Sequence, residues 1–147
     1  MIVRALCKDD MKMLKFLLGK GFDPYSTDYD DLDIFQIAAA NGSINCIQYL
    51  LTIYKKPDYK NQTGYSLFHW AACAKKNGIE IMKFLIKNGF SPSVVCEKRG
   101  MYKETAYETA MKLADMNNTN FDASKRESYL KTAEFIRELE KRYCVGR

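Results

Sequence analysis

Apolar segments alternate with polar turns along this chain at a period near 33 residues. Phe16-Leu17-Leu18 recurs 33 positions later as Tyr49-Leu50-Leu51, and 35 positions further on as Phe84-Leu85-Ile86. Residues 34–39 and 67–72 correspond in the same way, again 33 positions apart. A fixed period of this length predicts stacked copies of one supersecondary unit, in which each copy buries its apolar face on the next.

The period divides one domain into four units, covering approximately residues 1–27, 28–60, 61–95 and 96–147. A first helix is expected over residues 2–9, and second helices are predicted at residues 11–18, 44–53, 79–87 and 127–143. The last of these carries apolar residues at three- and four-residue steps on one face and charged residues on the other. It is therefore predicted to cap the stack with its apolar face turned inward.

Residues 64–72 read Gly-Tyr-Ser-Leu-Phe-His-Trp-Ala-Ala and match the pattern G-x-T-P-L-H-x-A-A that precedes a second helix and a glycine. On these residues the chain resembles the ankyrin-repeat family, over roughly residues 5–114. The second unit departs from the pattern: Asp33-Ile34 replaces Thr-Pro, Gln36 replaces His, and Tyr54 replaces the closing Gly. The resemblance implies an all-α, ankyrin-type solenoid of stacked helix pairs with hairpin loops.

Composition narrows the functional classes. The net charge of +5 is modest and lysine is interspersed with acidic residues, whereas nucleic-acid-binding proteins usually have a clustered basic stripe. No apolar run approaches the roughly 18 residues of a membrane span, and the N-terminus lacks the plan of a signal peptide. We expect no direct nucleic-acid or membrane partner, and a cytoplasmic or nuclear protein, or one in a host cytosol if it is an exported or viral effector.

Metal and cofactor chemistry has little support in the sequence. The five cysteines are an odd number without C-x-x-C spacing, so they are interpreted as free thiols in a reducing compartment rather than as disulfides. One histidine and scattered cysteines do not supply the four ligands of a zinc site. Four aspartates within residues 28–33 lack the glycine and glutamate of a calcium loop, and Asp33 is predicted to be a helix N-cap instead. No metal or cofactor is expected.

Three residues near the best-matched segment invite a chemical interpretation. His69 is the only histidine, and it could act as a base for a serine or cysteine nucleophile. The family resemblance instead implies that its ring joins neighbouring turns by hydrogen bonds. Trp70 is expected in the core. Cys73 follows the alanine pair at a position that tends to face the groove in the family, so an exposed thiol is the alternative to small-residue packing.

The fourth unit begins about four residues late, because loop 94–102 is longer than the period requires. The loop contains Val94, Val95, Met101 and Tyr102, which are apolar for a hairpin. Exposed apolar groups beside a groove usually mark a contact site. This loop, together with Tyr65, is therefore predicted to form the centre of a partner interface, with the four side chains not all packed into the stack.

The resemblance implies a non-enzymatic protein–protein interaction module that binds one protein partner through hairpin tips and the groove lined by the first helices. Its role would be that of an inhibitor, an adaptor or a host-directed effector. The positions that match these surfaces are Tyr29, Asp30, Leu32, Asn41, Gln62, Thr63, Tyr65, Cys73, Lys75, Val95, Met101, Tyr102, Glu104 and Lys112. The alternatives are a fragment or capping section of a longer ankyrin scaffold and, less favoured, a thiol-dependent enzyme that uses Cys73.

Overall fold

The computed structural model describes residues 2–23, 32–54, 64–116 and 123–144. These ranges contain eight α-helices and one 3₁₀ helix. The elements in chain order are α1 (Ile2–Cys7), α2 (Met11–Gly19), α3 (Ile34–Ala40), α4 (Ile44–Ile53), α5 (Leu67–Ala72), α6 (Gly78–Lys87), the 3₁₀ helix Pro92–Cys96, α7 (Ala106–Met116) and α8 (Ala123–Tyr143).

The helices form four pairs that stack in sequence order. Each odd-numbered helix packs on the helix that follows it, so α1 pairs with α2 and α7 pairs with α8. The first helices contact one another in succession from α1 to α7, and the second helices do the same from α2 to α8. This two-layer arrangement confirms the predicted all-α solenoid.

Small residues on the first helices allow the units to approach closely. Ala38 and Ala39 in α3 are fully buried, as are Ala71 and Ala72 in α5. Larger apolar side chains of the second helices, including Leu50, fill the space between the layers. Burial of one such leucine stabilises the fold by about 1.5–3 kcal/mol. The repeated apolar positions of the sequence are therefore the continuous core.

Helix starts are set by short polar side chains. The carboxylate of Asp33 accepts a hydrogen bond from the backbone N–H of Gln36, and the Gln36 side chain accepts one from the Asp33 N–H, which completes a capping box. Ser66 caps α5 in a similar position through the N–H of His69. The predicted N-cap role of Asp33 is confirmed, whereas the aspartates at positions 28, 30 and 31 lie outside the described residues.

The first helix ends earlier than predicted, at Cys7 rather than at residue 9. Asp9 has a positive φ of 54° and leaves the helix. Its carboxylate accepts hydrogen bonds from the backbone N–H groups of Asn45 (3.2 Å) and Cys46 (2.8 Å), at the start of α4 in the next unit. The Asp9 side chain thus supplies acceptors at the N-terminus of α4, whose own N-cap residue, Ser43, makes no side-chain cap.

The helix-to-helix turns of adjacent units are joined directly. Gly42 has a φ of +69°, and a side chain added there would run into the backbone carbonyl of Lys76. The Asn77 side-chain amide also donates to the Gly42 carbonyl at 3.0 Å. The turn between α5 and α6 is two residues longer than the turn between α3 and α4. It is held from the other side, since the Ser128 hydroxyl donates to the Lys75 carbonyl at 2.7 Å. The two extra residues of this turn therefore serve packing between units.

The C-terminal helix α8 begins at Ala123, four residues before the predicted start, and ends at Tyr143 as predicted. Its inward side chains, Tyr129, Ala133, Ile136 and Leu139, are buried against the stack. Lys131, Glu134 and Glu138 are among the residues that it exposes. The apolar face of this helix is turned inward as expected, and its role as the cap of the stack stays a prediction.

The structure corrects the expectation that all five cysteines are free thiols. Cys96 and Cys144 form a disulfide that joins the 3₁₀ helix to the end of α8, so the interpretation of all five cysteines as free thiols was wrong. The two residues are 48 positions apart, and only the packing of α8 against the 3₁₀ helix brings them together. Cys7, Cys46 and Cys73 are free. Within the described ranges, no helix is both long enough and apolar enough to cross a membrane.

Candidate functional site

A short hairpin leads into the fourth helix pair. Arg99 and Glu104 exchange two backbone hydrogen bonds, of 2.9 and 3.1 Å, as a pair of antiparallel strand residues does. The four residues between them form a turn, in which Gly100 and Lys103 have positive φ angles of 80° and 49°. We call residues 99–104 the fourth-unit hairpin. It contains the last four residues of the irregular loop 94–102 and the two residues that follow.

The tip of this hairpin carries two large, exposed side chains. Met101 is 88 % exposed and Tyr102 is 72 % exposed, more than the other exposed large apolar side chains of the described residues. The ammonium of Lys112, on α7, lies 4.5 Å from the centroid of the Tyr102 ring. A cation over an aromatic face is an attractive arrangement. The tip therefore presents a thioether and a phenol with a lysine beside them.

The base of the hairpin rests on Tyr65, which precedes α5. A side chain added at Gly100 would collide with the Tyr65 ring, so only glycine allows this approach. The ring of Tyr65 stacks on His69 with centroids 5.4 Å apart, and its contact with Trp70 is edge-on at 5.2 Å. These contacts fix Tyr65 from two sides and so fix the position of the hairpin turn.

A polar network ties the hairpin to Tyr65, which precedes α5, and to Lys112 on α7. The Tyr65 hydroxyl donates to the Glu104 carboxylate, and the Lys112 ammonium donates to the same oxygen at 3.1 Å. Burial acts to raise the pKa of Glu104, but the bonds from Tyr65 and Lys112 outweigh it and hold that pKa below its usual value. Burial, and then the bond to Glu104, raise the pKa of Tyr65, so the phenol remains a donor.

The single histidine has a structural role, as the resemblance implied. His69 is fully buried, and its Nδ1 lies 2.7 Å from the Ser66 hydroxyl. Its Nε2 is 2.9 Å from the Glu97 carbonyl, which can only accept, so Nε2 carries the proton and donates. Burial lowers the pKa of the ring and keeps it neutral. The Nε2 bond therefore holds α5 against the segment that enters the hairpin, whereas the Nδ1 contact lies at the start of α5 itself.

Cys73 is half-buried, and its surroundings disfavour the thiolate. Its sulfur contacts the backbone carbonyl of His69 at 3.5 Å, and its pKa is raised to about 12 by burial and by the nearby charge of Glu104. The thiolate is the reactive form of cysteine, and a raised pKa removes it at neutral pH. The interpretation of Cys73 as an enzymatic nucleophile therefore has no support in the structure.

The structure brings some of the sequence-predicted partner residues together and separates others. Tyr65, Glu104, Lys112 and Tyr102 form one connected cluster at the fourth-unit hairpin, with Met101 beside them. Leu32 and Asn41 are half-buried at the two ends of α3, and Lys75 is exposed on the turn after α5. Tyr29, Asp30, Gln62 and Thr63 lie outside the described residues.

Two predicted contact residues need correction. Val95 is fully buried in the core, because the 3₁₀ helix Pro92–Cys96 turns its side chain inward, so it is unavailable to a partner. Glu104 is also buried, at 7 % exposure, and its carboxylate is taken by Tyr65 and Lys112. Glu104 therefore positions the hairpin. Of the other apolar loop residues, Val94 is half-buried, whereas Met101 and Tyr102 are exposed.

Sequence reasoning missed three residues at this site. Gly100 sets the hairpin turn, and Lys98 and Lys103 place a charge on each side of the exposed tip. A glycine between basic residues in a loop, next to Met101 and Tyr102, was the available indication of a hairpin with a charged rim.

The comparison with protein families agrees with this architecture. The family model for ankyrin repeats, with three copies, matches residues 2–96. The chain belongs to the ankyrin-repeat family. No curated protein matches this ankyrin-repeat protein. The matched region ends just before the fourth-unit hairpin, but α7 and α8 continue the stacking of the ankyrin repeats in the structure. Ankyrin repeats are generally protein–protein interaction modules.

Proposed function

We propose that this ankyrin-repeat protein is a non-enzymatic module that binds one protein partner through its fourth-unit hairpin and the adjoining first-helix groove, as an inhibitor or adaptor. The observation that carries the proposal is the exposure of Met101 and Tyr102 on a hairpin that is otherwise held in place. Tyrosine is enriched among the residues that dominate interface energetics. A large apolar tip in water has no structural use in the stack itself.

The attachment of the hairpin supports the same proposal. Gly100 packs on Tyr65, and Glu104 accepts hydrogen bonds from Tyr65 and Lys112. A loop that is ordered before binding loses less conformational entropy when the complex forms. The buried network therefore prepares the tip for contact and lowers the entropic penalty of association.

The same contacts argue against the enzymatic alternative. Both ring nitrogens of His69 are occupied by structural hydrogen bonds, and the raised pKa of Cys73 keeps its thiol protonated at neutral pH. A nucleophile and its base need free reacting atoms and a suitable pKa. Protein binding is the function that the described residues support best.

The test is substitution of the tip in the full chain, followed by measurement of partner binding. Deletion of the whole loop is unsuitable, because Val95 and Cys96 belong to the core and the disulfide. The partner would be identified by cross-linking from a probe attached near Tyr102 and then purified. Met101→Ala with Tyr102→Ala should weaken its binding by at least about tenfold, which is about 1.4 kcal/mol.

The matched control replaces two exposed apolar residues on other elements, Ile53→Ala with Met116→Ala. The control variant should bind within about twofold of the parent protein, a difference of about 0.4 kcal/mol. Circular dichroism and Trp70 fluorescence should show that both variants fold. Unchanged affinity of the tip variant for the cross-linked partner would place the interface elsewhere and end the proposal.

A further inference from the structure

The charges around the fourth-unit hairpin are unevenly compensated. Its two neighbouring carboxylates are both paired within the protein: Glu97 with Arg99 at 2.5 Å, and Glu104 with Lys112 at 3.1 Å. Lys98 and Lys103 have no ion-pair partner within the part of the chain that the structure describes. Together with Arg99 and Lys112, these two lysines make four cations against two carboxylates, so the six described side chains carry a formal charge of +2.

The uncompensated charges flank the exposed tip. Lys98 immediately precedes the hairpin and Lys103 ends its turn, with Met101 and Tyr102 between them, and both lysines are exposed. The ammonium of Lys112, which is paired with Glu104, lies over the Tyr102 ring at the same surface. A partner that covers this tip must bring its own groups within a few ångströms of these ammonium groups, where interactions between charges are only weakly screened.

A shallow apolar groove adjoins the base of the hairpin. The residues that line it include Tyr65, Phe68, Phe90, Val94 and Arg99. Tyr65 belongs to both features, because its ring also supports Gly100. The groove therefore offers apolar surface beside the hairpin whose tip is flanked by Lys98 and Lys103.

We propose that the partner presents an acidic segment, in which an apolar side chain that enters this groove is flanked by aspartate or glutamate residues facing Lys98 and Lys103. This inference rests on the proposed function of the hairpin as a binding site. Carboxylates are the complementary groups, and a basic partner would be repelled by the uncompensated lysines. The apolar groove and tip, together with the small number of cations, favour a polypeptide over a nucleic acid.

The experiment uses the full chain and a phage-displayed library of random peptides as the probe. Peptides are selected on the parent protein and depleted on the Met101→Ala/Tyr102→Ala variant. The surviving pool should be enriched in Asp and Glu on either side of an apolar residue. Synthetic peptides from this pool should lose at least about tenfold in affinity to a Lys98→Glu/Lys103→Glu variant, and should bind more weakly as salt is raised.

A matched control separates local from global charge. Lys8→Glu with Lys12→Glu changes two exposed lysines of the first unit and alters the net charge by the same amount. The selected peptides should bind this control variant within about twofold of the parent protein, about 0.4 kcal/mol. An equal loss of affinity in both lysine variants would show that only net charge matters, and would overturn the proposed contact at Lys98 and Lys103.

The outcomes distinguish the two proposals. If the selected peptides require Met101 and Tyr102 but contain no excess of acidic residues, the inference of an acidic partner segment is refuted. The proposed function as a protein-binding module is not affected by that result. A pool that the tip variant binds equally well, or the absence of any binding peptide, overturns the proposed function and the inference with it. A single-stranded oligonucleotide serves as a second probe; its binding through Lys98 and Lys103, with no acidic peptides recovered, would assign the surface to nucleic acid instead.

Discussion

Replacement of Gly100 by alanine tests how the fourth-unit hairpin is held. Gly100 has a φ of +80°, and an added Cβ would overlap the ring of Tyr65. The positive φ costs an L-residue about 1–2 kcal/mol. Forcing an extra methyl into a packed contact costs a further ~1–3 kcal/mol. Gly100→Ala should therefore lower the free energy of unfolding by about 2–5 kcal/mol.

The steric part of this estimate depends on whether Tyr65 can move aside. Its ring stacks on His69, meets Trp70 edge-on and is bonded to Glu104 through the hydroxyl. A shift of the ring would break the bond to Glu104 and leave that buried carboxylate with one donor fewer. The clash should therefore displace the hairpin and weaken partner binding together with stability.

Gly89 offers a matched control for the backbone cost. Its φ is +89°, but an added Cβ would meet nothing within 4 Å. Gly89→Ala should therefore cost only the ~1–2 kcal/mol of the left-handed backbone. The lower entropy of an alanine-containing unfolded chain is the same in both variants and cancels in the comparison.

The free energy of unfolding of both variants is measured by urea titration. The transition is followed by circular dichroism and by the fluorescence of Trp70, the only tryptophan. In a Tyr65→Ala background, which removes the ring, Gly100→Ala should cost no more than Gly89→Ala. If Gly100→Ala and Gly89→Ala destabilise the parent protein equally, the hairpin does not rest on Tyr65. The account of a pre-ordered tip would then be refuted.

Two further predictions concern stability. Burial lowers the pKa of His69 and keeps its ring neutral in the folded state, whereas the unfolded chain binds a proton at this side chain near pH 6.5. The free energy of unfolding should therefore fall as the pH is lowered below about 6.5, by up to about 1.4 kcal/mol per pH unit. Urea titrations at several pH values check this, and an equally steep fall in a His69→Gln variant would contradict it. Reduction of the Cys96–Cys144 disulfide, which spans 48 positions, should destabilise the protein by up to about 4 kcal/mol. A Cys96→Ser/Cys144→Ser variant should show the same loss and no response to a dithiol reductant; an unchanged unfolding midpoint would count against the crosslink.

The helical framework followed from the sequence because its determinants are local or periodic. Helix α4 spans Ile44–Ile53 as predicted, and Asp33 caps α3 as predicted. Capping is decided by residues within one turn of each other, and stacking repeats the same apolar positions about every 33 residues. Such features are visible in the sequence without knowledge of distant contacts.

The candidate site was predictable only in part. The exposed tip residues Met101 and Tyr102 stood out as apolar residues in an irregular loop, and the structure leaves both exposed. Val95 stood out for the same reason but is buried, because a 3₁₀ helix returns it to the core. The composition of a loop does not predict which of its side chains are buried, since burial depends on the surface of the core against which the loop packs.

The remaining features depend on residues that are far apart in the sequence. Asp9 caps a helix that begins 35 residues later, Glu104 meets a tyrosine 39 positions away, and Cys96 pairs with a cysteine after α8. Each pairing is specific to one place in the stack and has no counterpart at the repeat period. The sequence pattern therefore predicts which helices stack, whereas the capping of α4, the polar network at the hairpin and the disulfide arise only when the stacked units bring these groups within bonding distance.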